Sequence, residues 1–379
     1  MKACINNGID NLYLVDEKLR GKRLGLVTGP TGVSRDLQST IDILNEKYNL
    51  TCLFSAEHGI RGNAQAGDKV GTSIDGRTGL PVCSLYGQTR HAAEDALSQV
   101  DTVVFDMQDV GLRFYTYLYT LTNMMEDCAK YKIPLIVLDH INPLSGIKLE
   151  GTMLDERFSS FVGKYALPTR YAMTIGEFAS YINSEKSIAC DLTVCPCSGW
   201  KRDMYYDDTD LIWIQPSPNM PTIETALCYT GSCMFEGTNL SEGRGTTKPF
   251  EIIGAPWLNA YEVIEHMQSY NIEGVKFRET YFNPTFSKYA GQVCCGVQLH
   301  ITNRDVFESF KTSLLMLDFI RKNYNEFEFL EIRSRKTIEL LLGTDAIFRD
   351  DFEPLPFIES EKKKLDIFKK EAQKYLIYS

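Results

Sequence analysis

The chain lacks any apolar run approaching the eighteen residues of a membrane-spanning helix, so no membrane insertion is expected. It also lacks a basic excess. Lys and Arg number 40 against 50 Asp and Glu, a net charge of −10 over 379 residues, and no basic stripe is present. A nucleic-acid partner is therefore not expected. The opening Met-Lys-Ala-Cys-Ile-Asn-Asn-Gly has no charged-then-apolar pattern of a signal peptide. As given, the chain is expected to be cytoplasmic, or secreted or periplasmic if a leader was removed.

Several cofactor and metal signatures are missing too. Cys195-Pro196-Cys197 has one intervening residue, not the two of redox and zinc motifs, and no second cysteine pair follows with histidines at finger spacing. Eleven cysteines, an odd number often set in apolar sequence, suit a reducing compartment where free thiols act as small hydrophobes. The five histidines contain no His-x-x-x-His pair, no Gly-x-Gly-x-x-Gly follows a strand, and no phosphate-loop spacing occurs. We expect no metal and no cofactor. No repeat of fixed period and no low-complexity segment is visible.

What is present is a regular change of period. Arg23 to Thr28 reads as a strand closed by Gly29-Pro30-Thr31-Gly32, Ser39 to Tyr48 has helical spacing, and Leu50 to Ser55 is a second strand. The unit repeats through strands at Val82 to Tyr86, Thr102 to Met107 and Pro134 to Asp139, with helices at Ala92 to Leu97 and Tyr115 to Tyr131. Continuous apolar strands alternating with helices imply a mostly parallel, Rossmann-like α/β sheet with helices on both faces. Thr174 with Glu177 forms a capping-box pattern, and Leu192 to Cys197 is strand-like. Further on come helices at Leu258 to Tyr270, Val306 to Tyr324, Arg335 to Leu342 and Ser360 to Leu376, and strands at Val275 to Glu279 and Val293 to Thr302. We expect a catalytic Rossmann-like domain over residues 1–245 and a smaller α+β domain over 246–379.

Three apolar runs end in acids: Leu50 to Phe54 before Glu57, Val103 to Phe105 before Asp106 and Asp109, and Leu135 to Leu138 before Asp139. Carboxyl ends of parallel strands face the ligand crevice of such folds, so acid/base chemistry is expected there. Glu57-His58-Gly59-Ile60-Arg61-Gly62 sets an acid, an imidazole and a guanidinium within five residues. A structural ion pair at a strand-end turn is its alternative reading. Asp109 is followed by Arg113, Tyr115 and Tyr117, while Asp106 has the alternative of capping the next helix. The densest polar run is Glu236 to Phe250, with two acids, two cations and four small hydroxyl residues, and it reads as a site-lining loop.

Gly25-Leu26-Val27-Thr28-Gly29-Pro30-Thr31-Gly32, Ala56-Glu57-His58-Gly59-Ile60-Arg61-Gly62, Val104-Phe105-Asp106-Met107-Gln108-Asp109-Val110-Gly111 with Arg113-Phe114-Tyr115-Thr116-Tyr117, Pro216-Ser217-Pro218-Asn219 and Glu236-Gly237-Thr238-Asn239-Leu240-Ser241-Glu242-Gly243-Arg244-Gly245-Thr246 together resemble the NamZ-type exo-β-N-acetylmuramidase family. The similarity runs from about residue 8 into the C-terminal region. It implies a glycoside hydrolase that releases non-reducing terminal N-acetylmuramic acid from peptidoglycan fragments in a cleft between two domains. The family's Glu-His-Gly glutamate falls on Glu57. Glycosidic cleavage needs an acid for the leaving oxygen and a second group at the anomeric carbon. We expect Glu57 as the acid, with His58 beside it, and Asp109, Glu242 or Glu236 as the second group unless the substrate's acetamido group acts instead. Arg61, Arg113 and Arg244 are candidates for the lactyl carboxylate. Tyr115, Asn219, Glu236 and Asn239 complete the expected sugar contacts. A carbohydrate-binding protein without turnover and a nucleotide-dependent Rossmann enzyme are the rival readings.

Overall fold

The computed structural model describes residues 2–56, 59–60, 73–85, 90–332 and 334–379. In the first unit, strands and helices alternate where the apolar period changes. The order is α1 (Asp16–Leu19), β1 (Arg23–Thr28), α2 (Thr40–Lys47), β2 (Asn49–Ser55), β3 (Ser73–Ile74), β4 (Pro81–Ser84), α3 (Glu94–Leu97), β5 (Thr102–Asp106), α4 (Tyr117–Tyr131) and β6 (Leu135–Leu138). Then follow a hairpin of β7 (Glu150–Met153) and β8 (Pro168–Arg170), α5 (Ile175–Glu185) and β9 (Leu192–Cys195).

The main sheet has the order β3-β4-β2-β1-β5-β6-β9. Its neighbours pair in parallel except β3 with β4 at the edge. Residues alternate across a strand, so each strand supplies two cores. Val27, Phe54, Val103, Phe105 and Val137 pack with Leu118, Met125 and Phe178 on one face. Leu24, Leu26, Leu53, Val104 and Ile136 pack with Ile41 and Leu44 on the other. Burial of both faces is why the interiors of β1 and β5 and all of β6 read as continuous apolar runs with no polar alternation. From β1 the chain first builds outward through β2 and β4, then returns to add β5 and β6 on the opposite side. Such a reversal opens a crevice above the carboxyl ends of the two central strands, here Thr28 and Asp106.

The second unit contains α6 (Ile223–Ser232), β10 (Ile252–Ala255), α7 (Ala260–Ser269), β11 (Val275–Phe282), β12 (Cys294–Ile301), α8 (Ser309–Asn323), α9 (Thr337–Leu342) and α10 (Pro354–Ala372). An antiparallel sheet β10-β12-β11 and helices α7 and α8 share a core of Val263, Met267, Val297, Leu299, Leu314 and Leu317. Helix α6 joins this layer: Ser309 Oγ donates to Cys228 O at 2.9 Å and accepts from Gly231 N at 3.0 Å. Among the described residues, no helix is long and apolar enough to cross a membrane.

Candidate active site

The carboxyl ends of β1, β5 and β6 are tied together by buried acids. Asp106 accepts from Thr40 Oγ1 and sits 2.5 Å from His140 Nε2, while Thr28 Oγ1 donates to its backbone oxygen at 3.0 Å. A Cβ on Gly32 would lie 2.1 Å from Thr28 Oγ1, so the turn after β1 closes only with glycine there. Asp139 takes Gly176 N at 2.7 Å and His140 N at 3.0 Å on one oxygen, and Thr174 Oγ1 at 2.8 Å and the Tyr378 hydroxyl at 2.5 Å on the other. Asp109 Oδ2 accepts from Gly111 N at 2.6 Å and from the Tyr171 hydroxyl. Burial pushes both Asp109 and Asp139 up to about 6. The strand-end acids of β5 and β6 thus point into the protein, where they organise loops.

A cavity of about 180 Å³ lies between the loop that follows β5 and the second unit. Phe114, Tyr229 and Phe250 form one aromatic wall, with Phe114 and Tyr229 edge to face at 4.9 Å and Tyr229 and Phe250 at 4.4 Å. Tyr115, Asn219, Glu236 and Arg244 also line it, so four residues singled out in the sequence converge. Asn219 comes from the proline-rich loop before α6, which Tyr117 pins by donating its hydroxyl to Pro216 O at 2.6 Å. Arg244 donates to Glu236 Oε1 from Nε at 2.8 Å and Nη2 at 2.5 Å. Its guanidinium also lies 5.0 Å over the Phe250 ring. Burial alone lowers the Arg244 pKa, but Glu236, Tyr229 and Glu242 outweigh it and raise the group above its ordinary value.

Two glycines shape the backbone on either side of this arginine. Gly243 and Gly245 flank it with φ of +81° and +80°, a region that other residues rarely adopt. Glu242 lies behind the pair, its side chain 2% exposed, bound to Lys288 Nζ at 2.9 Å and to Arg244 Nε at 3.5 Å. Glu242 does not line the cavity; Glu236, 27% exposed, does.

The remaining expected site residues fall elsewhere. Arg113 is completely buried and donates to Thr152 O, Leu167 O, Leu341 O and Leu342 O at 2.6 to 3.0 Å, so it bolts the C-terminal end of α9 to the first unit and does not reach the cavity. Burial pulls its pKa down to about 10. Asn239 ties its loop to the segment after α8, donating to Glu326 O at 2.7 Å and accepting from Glu328 N at 3.0 Å, and it too lies off the cavity. Asp109, 4% exposed, is not a cavity residue either. Glu57, His58 and Arg61 lie outside the described residues. Phe114, Tyr229 and Phe250 were not singled out by the sequence as sugar contacts, and Lys288 carried no local signal at all. Among the described residues, no three His, Cys, Asp or Glu side chains are grouped to hold a metal ion.

Two family models match the chain: the N-terminal part of exo-beta-N-acetylmuramidase NamZ over residues 24–224 and its C-terminal part over 227–378. A curated relative, the peptidoglycan beta-N-acetylmuramidase NamZ of Bacillus subtilis (strain 168), is 48% identical over all of this chain and 92% of its own length. Two crystal structures of DUF1343 family proteins from Bacteroides fragilis NCTC 9343 are similar over 99% of both chains. One has a TM-score of 0.90 at 34% identity, the other 0.80 at 30%.

Proposed function

The chain belongs to the exo-β-N-acetylmuramidase NamZ family and is a glycoside hydrolase, and from that premise we propose that it removes N-acetylmuramic acid from the non-reducing end of peptidoglycan fragments. Glu57 is the proposed acid, protonating the leaving oxygen, on the strength of the family's Glu-His-Gly motif. The cavity is the proposed muramic acid site. One observation carries that choice: the Arg244–Glu236 pair lines the same cavity as the aromatic cluster of Phe114, Tyr229 and Phe250.

The chemistry of the sugar supports the reading. Muramic acid brings apolar ring faces, hydroxyl groups, an acetamido group and a lactyl carboxylate. Phe114, Tyr229 and Phe250 supply apolar surface, Asn219 can donate and accept, and Arg244 is the one expected arginine among the described residues that lines the cavity. A lactyl carboxylate bound there would share the guanidinium with Glu236. Of the three carboxylates considered for the second role, Glu236 alone lines the cavity, so we assign it to the sugar side, with Asp109 and Glu242 as supports.

Incubation with a chromogenic muramic acid glycoside tests this function. Release of chromophore by the wild type is the expected result, while binding without release at any pH would favour a carbohydrate-binding protein. A thermal shift with dinucleotides and none with muramic acid would overturn the reading altogether.

A further inference from the structure

We infer that Lys288, on the loop joining β11 to β12, is a positioning residue for the Arg244–Glu236 pair and acts through Glu242; this rests on reading the cavity as the sugar site. Lys288 Nζ donates to Phe235 O at 2.8 Å, Leu240 O at 2.9 Å and Glu242 Oε2 at 2.9 Å. An ammonium group has three hydrogens, so its donors are all used, and all on one loop. The two carbonyls bracket Glu236 in sequence, and the carboxylate belongs to the residue two before Arg244. One side chain thereby fixes both ends of the segment that carries the cavity's charged pair.

The electrostatics give Lys288 a second role. Glu242 is buried, and a buried carboxylate without a cation is strongly unfavourable. Two cations are in reach, Lys288 at 2.9 Å and Arg244 at 3.5 Å. Because Lys288 satisfies Glu242, Arg244 is left to make its shorter contacts, 2.5 and 2.8 Å, with Glu236 on the cavity wall. Without the lysine charge, Glu242 competes for the same guanidinium and draws it off the wall.

The backbone follows the same plan. Thr285, three residues before Lys288, donates to Gly245 O from its backbone N at 2.9 Å and from Oγ1 at 3.0 Å. A Cβ on Gly245 would lie 2.5 Å from Phe286 O, so the two loops touch backbone to backbone. The β11–β12 loop is therefore a template against which Arg244 is set, although none of its residues lines the cavity.

The test compares Lys288→Met, Lys288→Arg and the double variant Lys288→Met/Glu242→Gln, with kcat and KM measured on a chromogenic muramic acid glycoside and folding checked by thermal unfolding. Misplacing a site group by about 1 Å can cost two orders of magnitude, so Lys288→Met is expected to lose about tenfold or more in kcat/KM. Lys288→Arg, which keeps the charge, is expected to rescue most of it. The double variant, which removes the competing carboxylate, is expected to regain activity over the single one. Near-wild-type activity of folded Lys288→Met overturns the inference, as does a double variant no better than the single. Should Lys288→Met not fold, Lys288→Gln is read in the same way. A crystal structure of the variant separates this inference from the functional reading. If the wild type hydrolyses nothing, the function fails, yet Arg244 turned from Glu236 to Glu242 in the variant still supports the positioning role, and Arg244 unmoved overturns it.

Discussion

Arg244 grips Glu236 with two of its nitrogens, at 2.8 and 2.5 Å, while a second carboxylate, Glu242, waits 3.5 Å behind it. Planar, two-point contact of this kind is open to guanidinium and not to an ammonium group. Arg244→Lys is therefore expected to lower kcat/KM by about tenfold or more, since a charge-assisted two-point contact exceeds a single one by a kcal/mol or two, roughly. Steady-state kinetics on a muramic acid glycoside check this; a lysine variant as good as wild type would remove the pair from the site.

Arg113 carries the opposite expectation. Its four carbonyl contacts join β7, the segment before β8 and the end of α9, and none reaches the cavity. Arg113→Met leaves several buried carbonyls without a donor and is expected to destabilise by about 3 kcal/mol. Urea unfolding measures it, and KM of the surviving folded protein should be unchanged. A stable variant with raised KM would return Arg113 to the substrate.

Asp109 gives a prediction in pH. Its pKa rises from an ordinary 3.8 to about 6 because the carboxyl is buried. The folded state then holds the proton more tightly than the unfolded state, so this group's contribution to stability falls as pH rises from about 4 to about 6 and is constant above. Asp109→Asn keeps an acceptor for Gly111 N and Tyr171 and removes the penalty. Relative to wild type it is expected to gain stability at pH 7, by up to roughly 3 kcal/mol at about 1.4 kcal/mol per pH unit, and nothing below pH 4. Thermal unfolding of both proteins across that range decides, and an equal difference at both ends would contradict the assignment.

The main sheet was legible because its strands are buried on both faces. Arg23 to Thr28 is a strand at the positions expected, and β5 and β6 lie within a residue of theirs. The Thr174–Glu177 capping box also forms as written. Helix α6 carries a weak sequence signal, since Ile223–Ser232 mixes threonines and a glycine that lower helical propensity, and its Thr222 cap follows a proline-rich loop. The hairpin of β7 and β8 is short and irregular in register, too brief for a period to show.

The polar loop was legible as a cavity wall because Glu236 and Arg244 lie eight residues apart in one run. The direction of an acid was not. Asp106, Asp109 and Asp139 follow apolar strands as ligand-facing acids do, but their partners Thr40, His140, Tyr171, Thr174 and Tyr378 come from distant parts of the chain. The surroundings of Arg113 are hidden for the same reason, since the carbonyls of Leu341 and Leu342 that it holds lie more than two hundred residues away.

The proposed role of Glu57 as general acid is decided by the turnover of a chromogenic muramic acid glycoside by Glu57→Gln. Turnover is expected to fall by a factor of at least about 10², the low end for general acid catalysis, with the unfolding transition unchanged. Turnover near that of the wild type would contradict it.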